Sequence, residues 1–584
     1  MESYQFSFRV SRVLRVARVD GLFVDGLSVA ALAMLAACAP PPANPADFVL
    51  LDAMVYTVDS MKPRAQAVVV DEGRIIYVGT NDSAQTFAGP STRVLRLPGR
   101  MVLPGFQDTH VHPVTGGIQL GQCDLNAATK LDDVRRIVAE CARREPKAPW
   151  VRGGGWALPI FPDANPSRAL LDSLVPDRPA YLSAADGHSA WVNSRALALA
   201  GVDRATRDPA NGRIERDPRD ATGAPSGTLR EAAIDLVSRQ LPAYTAADYS
   251  AGLERGLAMA ARFGITTLHE ASATEPIAMA YVRADSLGTL TARSIISLLV
   301  DTDAPIDSEV RRLSALRART TRGLVRPVAA KIFMDGVIEA HTAALLAPYL
   351  DRPGYRGTLN LPPARFDTLV QKLDSAGFKV HVHAIGDRAI RVALDGFAKQ
   401  HARDGGTGPR HIIAHIQLFD PADIPRFAAL GVVADFQPLW AYADDYITDL
   451  TVPKLGRERS RYLYPIASVV KIGAIVAAGS DWSVSSMNPL EAIQVGITRR
   501  ALTDSTGDYW LPEESVNLHV MLRAYTLGGA LATDAESFTG TLTAGKAADL
   551  IVLSDNLFKL PPHRIAKARV LMTMVGGRVV YRSP

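Results

Sequence analysis

The sequence predicts an α/β protein: a (β/α)8 TIM barrel with an insertion subdomain, plus a small β-sandwich built from both chain ends. Three observations lead there. Eight short apolar runs alternate with helical patterns through the middle of the chain, and strand-like texture near the start returns at the far end. The interval between the first two runs is far too long for a loop. At 584 residues, 47% hydrophobic and 21% charged, the chain has enough apolar material for a core of that size.

The elements follow in chain order. Residues 1–45 read as an export leader and a Pro-rich tether. Arg9, Arg12, Arg15 and Arg18 precede "GLSVAALAMLAAC", whose apolar run of about eleven residues ends at Cys38. That run is too short to span a bilayer but suits an export signal. "LAAC" followed by "APPPANPAD" resembles a bacterial lipobox, which makes Cys38 the expected lipidation site. Ala39 is not the aspartate that favours inner-membrane retention. The expectation is an exported lipoprotein on the periplasmic side of the outer membrane, touching the membrane only through its N-terminal lipid anchor. A buried helix is the alternative, because the basic lead is long and Asp25 interrupts it.

Residues 46–104 contain short strands separated by Gly and Asp-Glu-Gly turns: "DFVLLDAMVYTVD", "AQAVVVDEGRIIYVG" and "TRVLRLPGRMVLPG". Residues 538–584 repeat the texture in "AADLIVLSD" and "RVLMTMVGGRVVYRS". One β-sandwich made from both ends explains the split. The first barrel strand occupies 105–114, and the remaining barrel occupies 249–537. Its apolar runs are "MVLPGFQDTHVH", "GITTLHEAS", "RSIISLLV", "VAAKIFMDG", "FKVHVHAIGD", "RHIIAHIQL", "GVVADFQP" and "GAIVAAGSD". Segments between them, such as "PARFDTLVQKLDSAG", show helical spacing and end at Gly. Residues 115–248 hold helices and strands of their own and are read as a subdomain over the barrel mouth.

Composition narrows the partners. A net charge of +4 without a long Lys/Arg block gives no nucleic-acid groove. Besides Cys38 there are only Cys123 and Cys141; export would permit a disulfide between them, and two reduced core thiols are the other reading. With no Cys-x-x-Cys, any metal must rely on His and carboxylates.

Chemistry in a barrel sits at the C-terminal strand ends. There the sequence places His110 and His112, Lys331, His383, His415 and Asp481. His110 and His112, at i and i+2, share one strand face. Imidazole and carboxylate donors without thiolate suit Zn²⁺ or a similar divalent ion. Lys331 conflicts with a cation unless CO₂ converts it to an anionic carbamate; a lysine paired with a buried carboxylate is the alternative.

"GFQDTHVHP", "KIFMDG", "HVHAIGDRAI", "RHIIAHIQL", "GSDWSV" and "GTLTAGKAADLIVL" together resemble the amidohydrolase superfamily. More narrowly, they resemble its amidohydrolase 3 branch, which includes N-substituted formamide deformylases. "GGGWALP", "DGHSAWVNSRAL" and "GITTLHEAS" extend the resemblance to nearly the whole chain from about Asp47. The resemblance implies a metal-bearing barrel in which His110, His112, His383, His415 and Asp481 hold two Zn²⁺ bridged by carboxylated Lys331. His381, two residues before His383, is assigned to packing or to support of the ligands. His341, where an arginine is common, and the His269–Glu270 pair are departures that bear on substrate choice.

The expected reaction is hydrolysis of a non-peptide C–N bond in an amide, N-acyl amine or N-formyl amine by metal-activated water. Asp481 takes the proton and passes it to the leaving amine, and His188 reaches over from the insertion toward the carbonyl or leaving group. Trp156, Phe333, Trp440 and Trp482 are candidate substrate contacts for an apolar or aryl group. A mononuclear deaminase, or an ester or lactone hydrolase, is the alternative on the same scaffold. A surface lipoprotein that binds or regulates through an inactive barrel is the non-enzymatic one.

Overall fold

The eight apolar runs form one parallel sheet in unbroken chain order. Its strands are β1 (Phe106–Val111), β2 (Ile265–Ala273), β3 (Arg293–Leu299), β4 (Val325–Phe333), β5 (Lys379–Ala384), β6 (Ile412–His415), β7 (Val433–Phe436) and β8 (Ile475–Ala478). Parallel strands are covered by helices on one side and by each other across the barrel, so both faces are apolar and the runs show little alternation. Backbone hydrogen bonds just beyond β8 close the ring onto β1: Asp481 N donates to His110 O at 2.7 Å and Trp482 O accepts from His112 N at 2.8 Å. The computed structural model describes residues 45–584 apart from 218, 219 and 508. Cys38 and the expected leader lie outside the described residues. Among those described, no helix is long and apolar enough to cross a membrane.

Both chain ends contribute to a two-sheet sandwich. Its six-stranded sheet joins three C-terminal strands, among them Val570–Val575 and Leu550–Leu553, to three N-terminal ones through the antiparallel pairing of Leu550–Leu553 with Met101–Pro104. Leu50, Val68 and Val70 from the other sheet pack against Val102, Val552 and Met574. This layer docks at the N-terminal end of the barrel. Arg293, which opens β3, is held by Asp549 at 2.7 and 3.0 Å, and Asp549 O accepts from Gly105 N just before β1. The site end therefore stays free of the sandwich.

The insertion carries its own six-stranded sheet and its own apolar core around Trp156, Leu182 and Trp191. It begins later than residue 115. The helix Pro113–Gln119 crosses that point and packs on the helix Ala246–Arg262, where a Cβ on Gly256 would collide with Pro113. Glycine contacts of this kind let two helices approach closely, a signal that strand periodicity does not carry. Cys123 and Cys141 are disulfide-bonded, tying the edge strand to the helix Leu131–Arg144. Closing a loop of that size stabilises the subdomain by roughly 3 kcal/mol.

Candidate metal centre

The six expected ligands arrive from five strand ends, His110 and His112 sharing one, and the register sets their heights. Lys331 on β4 pairs across to His381 on β5, Phe333 to His383, and Ala384 to His415 on β6. His110 Nε2 lies 3.3 Å from Lys331 Nζ and 3.6 Å from Asp481 Oδ1. His112 Nε2 is 3.1 Å from the same carboxylate oxygen, and His415 Nδ1 is 3.9 Å from the other. The His110, His415 and His383 rings meet edge to face in sequence, with centroids 4.5 Å apart at each step. Five of the six are buried, and His112 is partly exposed. His415 and Asp481 both hold left-handed backbone, φ +74° and +52°. Such strain persists where surrounding contacts over-determine it, as at functional sites.

The partners around the ring fix which imidazole nitrogen faces inward. His110 Nδ1 meets His381 Nε2 at 3.0 Å, and His112 Nδ1 lies 3.4 Å from Glu270 Oε1. His415 Nδ1 donates to Gln437 Oε1 at 2.9 Å. These contacts leave Nε2 of all three as the inner donor. His383 is reversed: its Nε2 donates to Gly336 O at 3.3 Å, which leaves Nδ1. Behind His110 a buried string continues from His381 Nδ1 to Ser297 Oγ at 2.9 Å and on to His269 Nε2 at 2.8 Å. A second possible donor group, His110 with His381 and Asp435, uses the His110 nitrogen already committed to this string. The group of His110, His415 and Asp481 is therefore the better cation site.

Electrostatics agree with that use. Burial would raise Asp481, but the hydrogen bond from His112 and the positive charges of His112 and Lys331 hold it below the usual carboxylate range. Burial pulls Lys331 down to about 7, against Asp481, Asp435 and Glu270. His415 falls to about 3, chiefly through burial, so its imidazole is neutral and able to ligate. His112 is the exception: burial lowers it, yet Asp481 and Glu270 raise it to about 9. Among the described residues no carboxylate comes within 4.0 Å of Lys331 Nζ, which argues against a simple buried ion pair.

The remaining candidates divide. His188 hangs over the mouth with its ring 5.0 Å from that of His383. Phe333 sits 5.3 Å from His383, and Trp440 stacks on His415 at 5.7 Å and 8°. Trp482 packs against the helix after β1, where a Cβ on Gly116 would strike its ring. Trp156 is placed differently from the mouth residues. It is fully buried in the insertion core, packs on Phe161 and donates its indole N–H to Leu182 O, because the strand that carries it runs inside the subdomain sheet. His341 turns away to Asp351 at 2.7 Å.

Several contributing residues have weaker sequence signals. Asp335 accepts backbone N–H groups from Ala344, Ile385 and Gly386 at 2.8–3.0 Å, joining the loops after β4 and β5. Ser297 and Asp435 are polar residues inside otherwise apolar stretches, which is the cue that points to them. Glu231, the partner of His188, lies 43 residues away from it and has no local cue.

The donor set fits a borderline divalent ion: four imidazoles and a carboxylate, with no thiolate. Asp435 Oδ2, buried beside it, lacks a hydrogen-bond partner. Comparison with known proteins is consistent with this geometry. The sequence profile of the Amidohydrolase family matches residues 93–581. The protein LONG AFTER FAR-RED 3 of Arabidopsis thaliana is 30% identical over 554 residues, covering 93% of each chain. The N-substituted formamide deformylase of Arthrobacter pascens is 28% identical over 553 residues, covering 92% of this chain and 98% of its own. An uncharacterized metal-dependent hydrolase from Pyrococcus horikoshii shares the fold with a TM-score of 0.70 at 23% identity, over 88% of this chain and 99% of its own.

Proposed function

This chain belongs to the amidohydrolase family, and from that premise we propose that it hydrolyses a non-peptide C–N bond of an N-acyl or N-formyl amine at a pair of divalent cations. The coarser statement, a metal-dependent hydrolase, follows from the family and the His/Asp cluster. One observation carries the finer one: five side chains from four strand ends converge around a buried Lys331 that, among the described residues, has no carboxylate within 4.0 Å. Carboxylated by CO₂, Lys331 would supply the anionic ligand that such a site needs. In this reading His110, His112 and Asp481 hold one Zn²⁺, and His383 and His415 hold the other.

The bound ions supply an activated water and a polarised carbonyl. Asp481 accepts the proton of the attacking water and delivers it to the leaving nitrogen. His188 meets the acyl oxygen from above. Phe333 and Trp440 wall the mouth with aromatic surface, which favours an apolar or aryl substituent. The deformylase relative acts on N-substituted formamides by its name, and that substrate class suits a mouth of this kind. The zinc-loaded protein is tested on a panel of aryl and alkyl N-formyl and N-acyl amines. Release of free amine, abolished by chelator and restored by zinc, is expected; hydrolysis of esters or lactones but of no amide would overturn the reading. Anchoring through Cys38 is a separate proposal, supported by the lipobox pattern and tested by palmitate labelling of the expressed chain, where absence of label would refute it.

A further inference from the structure

Two insertion strands bring a histidine and a glutamate to the barrel mouth side by side. Ser189 and Arg230 are direct cross-strand partners, and Glu231 N donates to His188 O at 3.2 Å. The side chains of the next residues, His188 and Glu231, then meet: His188 Nδ1 lies 2.9 Å from Glu231 Oε2 and 3.1 Å from Oε1. Glu231 holds φ +47° and ψ −129°, which a side-chain-bearing residue adopts only when its surroundings impose it. The floor beneath it is Gly336, where a Cβ would collide with the Glu231 carboxylate and with Thr342. The carbonyl of that same glycine accepts from His383 Nε2. One residue without a side chain thus seats Glu231 and orients a metal-ligand candidate.

We propose that Glu231 is a positioning residue: it holds the His188 ring by Nδ1 so that Nε2 meets the substrate's acyl group, making the insertion part of the active site. The substrate part of this inference rests on the amide-hydrolase reading above; the ring placement does not. A carboxylate that orients a histidine from its far nitrogen fixes both tautomer and ring direction. Burial and neighbouring charge act together on the pair, since His188 and Glu231 each favour the charged form of the other.

The test uses zinc-loaded full-length protein with Glu231→Ala, Glu231→Gln, His188→Ala and the Ala/Ala double variant. In a crystal structure of Glu231→Ala, the His188 ring is expected to leave its place while bound zinc and the six ligand side chains stay. On an aryl-substituted formamide, kcat should fall about 100-fold in Glu231→Ala and His188→Ala, the order of a lost proton-transfer or oxyanion partner, with KM within about threefold. The double variant should be no worse than either single one. Glu231→Gln, whose amide oxygen still accepts from Nδ1–H, should recover to within about tenfold of the parent. An unmoved His188 ring, loss of zinc from Glu231→Ala, or additive effects in the double variant would overturn the proposal. If the parent hydrolyses no amide, the amide reading fails while the crystallographic arm still decides the role of Glu231.

Discussion

Replacing Ser297 by alanine probes the support behind the site without touching a ligand. Ser297 is fully buried, and its hydroxyl is the single link between His381 Nδ1 at 2.9 Å and His269 Nε2 at 2.8 Å. Removing it leaves two buried ring nitrogens unpaired; each costs about 1–3 kcal/mol, so stability should fall by roughly 2–6 kcal/mol. The second effect is on the metal. His381 fixes the His110 tautomer through a 3.0 Å contact, and without the serine the opposite tautomer, with its proton on Nε2, becomes accessible. Loss of a support of this kind weakens metal binding by about 10–100-fold. Competition with a fluorescent zinc chelator measures the affinity, and urea unfolding of the chelator-treated protein measures the stability. Ser297→Thr, which keeps the hydroxyl, should recover most of the affinity. Zinc affinity within about twofold of the parent in Ser297→Ala would refute the idea that this string holds His110 in its ligating form.

Other outcomes follow from the same structure. Asp481→Asn should lower kcat by about 10³-fold or more while the protein keeps much of its zinc, because the proton acceptor is lost but most donors stay; near-normal turnover would exclude the role. Asp549→Asn should destabilise the protein by about 3 kcal/mol in urea unfolding, since it leaves Arg293 partly buried without its counter-ion and weakens contacts to Gly576 N and Thr539 Oγ1. His411 gives a pH signature away from the metal centre. Burial, helped by the charge of Lys379, lowers it to about 3, and its neutral Nδ1 accepts from Val380 N at 3.1 Å. A folded-state value below the unfolded one means that stability is fully present above about pH 6.5 and is lost as pH falls toward 3. Relative to a non-titrating His411→Asn variant, the parent's advantage should shrink by about 1.4 kcal/mol per pH unit between about pH 6 and 4; a constant difference in urea midpoints would contradict it.

The barrel was legible because buried parallel strands are written as uninterrupted apolar runs, and eight of them stand in order between turn signals. The candidate positions stand out for a related reason: His110, His112, Lys331, His383, His415 and Asp481 each interrupt or end such a run, and barrel geometry collects run ends at one face. What lies behind the ligands was harder to read. Ser297 and Asp435 are visible as polar residues in apolar strands, but a single sequence does not say which neighbour each one faces. Glu231 and His188 become partners only through the antiparallel pairing of two distant insertion strands. Trp156 stands beside a glycine-rich motif; Gly153 and Gly154 let neighbouring strands approach closely inside the subdomain sheet, and the indole goes into its core. The late start of the insertion was hidden because helix contacts through Gly252 and Gly256 leave no trace in hydrophobic periodicity.

The central claim is that imidazoles, a modified lysine and one aspartate from five strand ends grip two cations. Elemental analysis of the protein equilibrated with zinc and then freed of excess ion by gel filtration tests it most directly. The account predicts two zinc per chain, falling to one or none in Lys331→Ala. A single zinc in the parent would contradict the paired centre, and none at all would remove the metal site itself.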